Sequence, residues 1–309
     1  RQATSPTDLR RHVVRLSGEL LLGTARLIAE AVDSDMVTGC IFLAIMRANV
    51  RDITRASQDT GAYSGLPDIP PDALRHPVSV YAIAREMKIP YETVRRHVAK
   101  LAAANLCRRV EDGLVAPQEV FQTPRMMRAV EENWKLTLWF LKALAEHGIE
   151  APPRPGAPRG ADMSRQVLRL SIGMFLDAMA RLTEQIQLDL VHAVLYVTIA
   201  QANVRHLTTD FARAEPFASL EAPPPDSERR PVSVYAVARE MRLPYETARR
   251  HVGRMMKMGL LVRMPDGGLI TPSSLHRSPR WVAATHDSWR SIEGYLGDLA
   301  HIGVTARSA

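Results

Sequence analysis

The 309-residue chain predicts a mainly α-helical protein in which one structural plan is written twice. Three observations carry this. Residues 78–98, VSVYAIAREMKIPYETVRRHV, return at 232–252 as VSVYAVAREMRLPYETARRHV, with 17 of 21 positions identical. The same shift of 154 lays the RLS at 15–17 on 169–171, the ANVR at 48–51 on 202–205 and the PPD at 70–72 on 224–226. Past one extra residue at Gly267–Gly268 the shift becomes 155, and Trp134 meets Trp289 while Gly148 meets Gly303. Finally, aromatic residues make up only 6% of the chain, and abundant Ala, Leu, Met and Arg favour helices over sheets.

Each copy follows the same order. In the first, two helices are expected over about 10–32 and 34–56. Val13, Leu16, Leu20, Leu27, Ile28 and Ala31 share one helical face, and the DSD at 33–35 breaks one helix and caps the next. A polar, Pro-containing loop follows over 57–76. Ser79 then caps a helix whose inner face is Val80, Ile83, Ala84 and Met87. Pro90 ends that helix and opens another, in which Val94, Val98 and Leu101 point inward. The LCRRVEDGLVAP stretch reads as a short hairpin around an Asp-Gly turn. Thr123 as N-cap, Pro124 at the first helical position and Gly148 past the end bound a last helix over 123–148.

The second copy repeats this plan. Helices are expected over 164–210, a loop over 211–230, the helix pair with its hairpin over 231–272, and a last helix over 278–303 with Ser278, Pro279 and Gly303 at its ends. The EAPPRPGAPRG run makes residues 151–162 a linker between two domains, 1–150 and 163–309.

Composition narrows the class. A net charge of +7 favours an anionic partner, though charge alone speaks to encounter rather than to fold. Cys40 and Cys107 have no metal-ligand spacing and read as buried thiols of a reducing compartment. The apolar runs are too short to span a bilayer, and the first residues have no apolar core of a secretory signal. A cytoplasmic, nucleoid-associated protein is expected. No phosphate-cradling Gly loop, zinc-type His/Glu helix or nucleophile elbow occurs, so neither catalysis, metal nor cofactor is expected.

Helix, tight turn, helix, hairpin is the order of a winged helix-turn-helix. VSVYAIAREMKIPYETVRRHVAKLAAANL resembles the helix-turn-helix of bacterial winged-helix regulators of the IclR, MarR and GntR kinds, in its small Ala84, its Ile-Pro at the turn and its TVRR in the second helix. The likeness covers about 40 residues per copy. It departs at the turn, where Lys88 and Arg242 stand in place of the usual Gly. The resemblance implies sequence-specific binding of double-stranded DNA, with residues 77–117 and 231–272 as winged helices and the second helix of each in the major groove.

Which residues would read DNA follows from the two copies. Tyr91, Glu92, Thr93, Arg95 and Arg96 return unchanged as Tyr245, Glu246, Thr247, Arg249 and Arg250, whereas inward Val94 becomes Ala248. Recent duplication does not account for this, because residues 15–34 match their partners at only five of twenty positions. Arg forks suit guanine O6 and N7, Glu suits cytosine N4, and small Ala99 and Gly253 allow close approach. Lys100, Arg254, Arg108, Arg109 and Arg263 suit phosphates. An i,i+4 surface pair of Glu92 with Arg96 is the bland alternative. One chain would supply both halves of a pseudo-twofold dimer on two half-sites about 34–36 Å apart or a multiple of that, in inverted orientation. Its seam is expected at residues 36–51 and 190–205, where Asn49 and Asn203 either fix register or are simply capped. Trp134, Trp139, Trp281, Trp289, Tyr196 and Phe140 either line an effector pocket, for an effector left unknown, or form core. Two other readings stay open: a plasmid-type replication initiator with tandem winged helices, and a protein-docking, chromosome-associated adaptor.

Overall fold

Helices dominate because apolar side chains recur at spacings of three and four, and strands are confined to two short hairpins. The computed structural model describes residues 8–154 and 160–308, so part of the expected linker, 155–159, lies outside the described residues. In the first copy, α1 (Arg10–Ala31) is followed by Asp33 with a left-handed φ of 50°. Asp35 caps α2 (Met36–Asn49), accepting from the Thr38 amide at 2.9 Å. One helix is expected over 34–56, yet two form: α2 ends at Val50 and α3 (Arg51–Thr60) runs on to Gly61, which supplies the left-handed φ of 68°. Val50 and Thr54 recur as Val204 and Thr208, so the difference lies at Asp52, which favours a first turn over a helix interior, and at β-branched Ile53. The second copy has His206 and Leu207 there, and its helix is unbroken.

Then come α4 (Val80–Met87), α5 (Tyr91–Ala103), an antiparallel hairpin of β1 (Arg108–Val110) with β2 (Gly113–Val115), and α6 (Pro124–Ala145). The second copy consists of α7 (Ser164–Ile186), α8 (Leu190–Thr208), a short α9 (Phe211–Ala214), α10 (Val234–Glu240), α11 (Tyr245–Lys257), a hairpin of β3 (Val262–Arg263) with β4 (Leu269–Ile270), a short α12 (Ser273–Arg277) and α13 (Pro279–His301). The expected caps are present. Ser79 and Ser233 accept from the Ala82 and Ala236 amides at 3.0 and 3.1 Å, and Thr123 accepts from Met126. At the turn between the helices Lys88 and Arg242 both take a φ of 53°, the conformation that would suit Gly.

The compact units do not coincide with the halves of the repeat. One, here the first-copy unit, comprises Leu20–Thr183 and Gly294–Ala309; the second-copy unit comprises Arg1–Glu19 and Glu184–Glu293. The domain division expected at 1–150 and 163–309 therefore differs, because α1, α7 and α13 each give residues to both units. Within the first-copy unit the start of α7 holds the loop before α4: Arg165 donates to the Leu66 and Phe121 carbonyls at 2.6 and 3.1 Å, and Arg169 to Tyr63 at 2.8 Å. Within the second-copy unit the start of α1 does the same. Arg11 donates to the Leu220 carbonyl at 3.0 Å and Arg15 to Phe217 at 2.8 Å. Burial pushes Arg15 and Arg165 down to about 10 and Arg169 to about 9, so each guanidinium stays charged at neutral pH inside a cage of carbonyl oxygens. Gly18 belongs to the same arrangement, since a Cβ there would meet the Gln201 amide.

Asn49 and Asn203 hold backbone within their own units. Both are 0% exposed. Asn49 donates to the His76 and Leu114 carbonyls at 2.7 and 3.1 Å and accepts from the Ala116 amide at 2.9 Å. Asn203 donates to Arg230 and Leu269 at 2.8 and 2.9 Å and accepts from Thr271 at 2.9 Å. Each amide is used up inside its own unit, clamping the hairpin and the segment before α4 to the long buried helix. A buried carboxamide here satisfies the polar backbone of an edge it faces. The hairpin comes close enough for Val78 to bridge Leu114, and a Cβ on Gly113 would sit 2.6 Å from the Val78 oxygen.

The aromatic residues divide between the two units. Phe140 is core in the first-copy unit, where Trp139 is 40% exposed. In the second-copy unit Trp281 packs on Tyr196 and His276 at ring distances of 5.1 and 5.3 Å. Among the described residues no helix is long and apolar enough to cross a membrane.

Candidate nucleic-acid interface

Helix α5 packs on α4 and α2, and α11 on α10 and α8, so one face of each is buried. Val94, Val98 and Leu101 are at most 1% exposed, as are their counterparts Ala248, Val252 and Met255. The other face is open. Tyr91 and Tyr245 are each 47% exposed. Glu92, Arg95, Arg96, Ala99 and Lys100 are exposed, as are Glu246, Arg249, Arg250 and Arg254, while Thr93, Thr247 and Gly253 are half-buried. Tyr91, Glu92, Arg95 and Arg96 are thus both unchanged between the copies and exposed, whereas buried Val94 and Leu101 give way to Ala248 and Met255.

Ion pairing sorts the arginines. Arg95 donates to Glu92 at 2.8 Å, and Arg249 donates to Glu246 at 2.9 Å. The pair is i,i+3, not the i,i+4 pair of Glu92 with Arg96. Among the described residues neither Arg96 nor Arg250 has an ion pair. Pairs this exposed contribute little to stability and open readily for a ligand. Glutamate next to each Arg95-type residue also keeps the helix start from being uniformly basic, which favours a reading role over indiscriminate attraction to phosphate.

The expected phosphate contacts divide in the same way. Arg108 is held by Asp72 at 2.5 Å, Arg263 donates to the Gly267 carbonyl at 2.8 Å, and Lys100 stands 3.4 Å from Asp35. Arg109 and Arg254 are exposed. Glu111 and Asp112 sit at one hairpin tip and Asp266 at the other, so the tips repel phosphate and the basic surface lies on α5, α11 and the strand carrying Arg109.

Beneath each exposed face lies a hydrogen-bonded floor that ties the helix to its scaffold. In the first copy Thr38 Oγ1 bonds Asp35 at 2.9 Å and His97 Nδ1 at 2.7 Å. In the second, His192 takes the place of Thr38: its Nδ1 lies 2.5 Å from Asp189 and its Nε2 3.0 Å from His251 Nδ1. Burial lowers His97, and burial with neighbouring His192 lowers His251 to about 4, so both rings are neutral near pH 7. Burial opposes the ionisation of Asp35 and Asp189, but the bonds from Thr38 and His192 outweigh it and hold both carboxyls below their ordinary value.

Sequence reasoning missed two features. Tyr81 and Tyr235, at the start of α4 and α10, are 67% and 66% exposed. Their signal was present: an identical tyrosine in both copies, out of phase with inward Val80, Ile83, Ala84 and Met87. The Asp189–His192–His251 group gave less signal, because its members come from segments 59 residues apart. No protein-family model matches the chain, and neither a curated protein nor a solved structure matches it.

Proposed function

We propose that the chain is a double-stranded DNA-binding transcriptional regulator of the winged helix-turn-helix kind, in which α5 and α11 read two half-sites of like sequence. One observation carries the reading: Tyr91, Glu92, Thr93, Arg95 and Arg96 of α5 recur unchanged on α11, four of the five exposed in both copies, while inward Val94 and Leu101 have become Ala248 and Met255 and the flanking helices have diverged. A surface held constant over a drifting core has a common ligand, and two basic helices with free arginine forks suit base edges of a duplex. Arg96 and Arg250 are the base readers. Tyr91, Glu92, Thr93 and Arg95, with Tyr245, Glu246, Thr247 and Arg249, complete the two reading faces. Lys100, Arg109 and Arg254 contact phosphate, and Arg108 and Arg263 brace the hairpins. Tyr81 and Tyr235 present hydroxyls to the backbone at the helix starts. The site of action is the cytoplasm, on the nucleoid, and any small-molecule effector is unknown.

Selection of bound sequences from random duplexes tests this. Two similar half-sites at one spacing are expected, and their order gives the orientation. Recovery of no preferred sequence would overturn the reading in favour of a docking adaptor.

A further inference from the structure

The two floors differ in one respect that the fold does not require. In the first copy a threonine hydroxyl bridges Asp35 and His97 completely, so the link from helix to scaffold needs no second imidazole. The second copy has His192 in that place, 2% exposed. Asp189 accepts from His192 Nδ1–H, which fixes the tautomer and turns the Nε2 lone pair toward His251 Nδ1 at 3.0 Å. Carboxylate, histidine and a second ring nitrogen in this order form the arrangement in which a carboxylate orients a metal-binding imidazole. The two rings meet at 75°, edge to face, and one ligand atom from each of the three residues lies within 4.8 Å of the others.

We propose that Asp189, His192 and His251 form a site for a divalent transition-metal ion, such as zinc, present in the second copy alone. His192 Nε2 and His251 Nδ1 supply the lone pairs: the ion takes the place of the His251 Nδ1 proton, which moves to Nε2 of the same neutral ring, and Asp189 compensates charge from behind. Two nitrogens each about 2.0–2.1 Å from zinc stand about 3.3 Å apart at the tetrahedral angle, close to the 3.0 Å between His192 Nε2 and His251 Nδ1, so the nitrogens need little separation while the edge-to-face rings turn to aim both lone pairs at the ion. Imidazole ligands suit zinc, nickel and copper rather than magnesium or calcium. Arg250 and Arg254 act electrostatically on His251 and weaken a cation there. Where the first copy has Thr38 and Val94, the second has the larger His192 and the smaller Ala248, the latter one turn before His251. A bound ion would tie the start of α8 to α11. The site does not depend on DNA binding.

The test is titration of the full chain with Zn²⁺, and with Co²⁺ as a coloured probe, followed by calorimetry, visible absorption and thermal unfolding. One equivalent is expected to bind, with d–d bands from Co²⁺ and a raised unfolding midpoint. The variant His192→Thr, which reproduces the first copy's bridge, should lose that equivalent and the midpoint shift; His251→Gln should do the same. The double variant Thr38→His with Val94→Ala should bind a second equivalent. Binding unchanged in both single variants would mean adventitious surface histidines only and would overturn the site. No binding by the unaltered chain, or a double variant that stays at one equivalent, would overturn it too.

Discussion

The Asn49 carboxamide donates to the carbonyl of Leu114, 65 residues further on, at 3.1 Å, and Asn203 donates to Leu269 in the same way at 2.9 Å. A helix that is otherwise apolar thus holds the backbone of a hairpin through one side chain. Replacing Asn49 with Ala leaves two carbonyls and the Ala116 amide without that partner. Urea unfolding should show a loss of roughly 2–4 kcal/mol, and Asn203→Ala a similar loss. A loss under ~0.5 kcal/mol in both would refute the clamp.

Arg96→Ala and Arg250→Ala should each lower affinity for the selected duplex by about 1–3 kcal/mol and relax the base preference at one position of its half-site, with the helical circular dichroism unchanged. Arg109→Ala and Arg254→Ala should weaken all duplexes alike and reduce the slope of log K against log salt by about one each. Footprints of the Arg96/Arg250 double variant that keep full selectivity would remove these two residues from the reading face.

Lys88 and Arg242 have a φ of 53°, where a side chain is strained and Gly is not. Lys88→Gly should therefore raise the unfolding free energy by about 0.5–1 kcal/mol, despite the entropy that Gly adds to the unfolded chain. Lys88→Val should lower it by more. Equal stability of the Gly and Val variants in chemical unfolding would contradict the left-handed turn.

His276 is held by Tyr196 at 3.2 Å and packs on Trp281; burial, then Arg229 and Arg11, push it down to about 3. The folded chain keeps this ring neutral, whereas the unfolded chain protonates it near pH 6.5. Below pH 6.5 the unfolded state binds more protons, so stability falls with acidification by up to ~1.4 kcal/mol per pH unit until about pH 3. Asp8, lowered to about 2 by the Arg10 hydrogen bond, adds a loss only below about pH 4. Urea midpoints measured at pH 7 and pH 5 should separate less in His276→Gln than in the parent. An unchanged separation would show that His276 titrates freely.

The repeat, the helix pair with its hairpin and the caps at Ser79, Ser233 and Thr123 were legible in the chain. They depend on spacings of three and four, on N-cap hydroxyls and on Pro and Gly, all of them interactions within a turn or two. The inward and outward faces of α5 and α11 followed from the same periodicity, and burial agrees with it at Val94, Val98, Leu101 and Tyr91. The break at Val50 was not legible, because propensities across residues 50–54 differ only slightly from those of the unbroken second copy.

Sequence alone determined local structure and identified the face that both copies keep. The tertiary structure decided which partner each polar side chain takes. It paired Arg95 rather than Arg96 with Glu92, gave Asn49 to a hairpin, and placed His192 against His251. It also assigned Arg11 and Arg15 to the second copy's loop and Arg165 and Arg169 to the first's. The physical reason is common to all of these. A buried polar group must find a complementary atom wherever the packed chain brings one, and helical periodicity states only which side of a helix is buried, not what lies across from it.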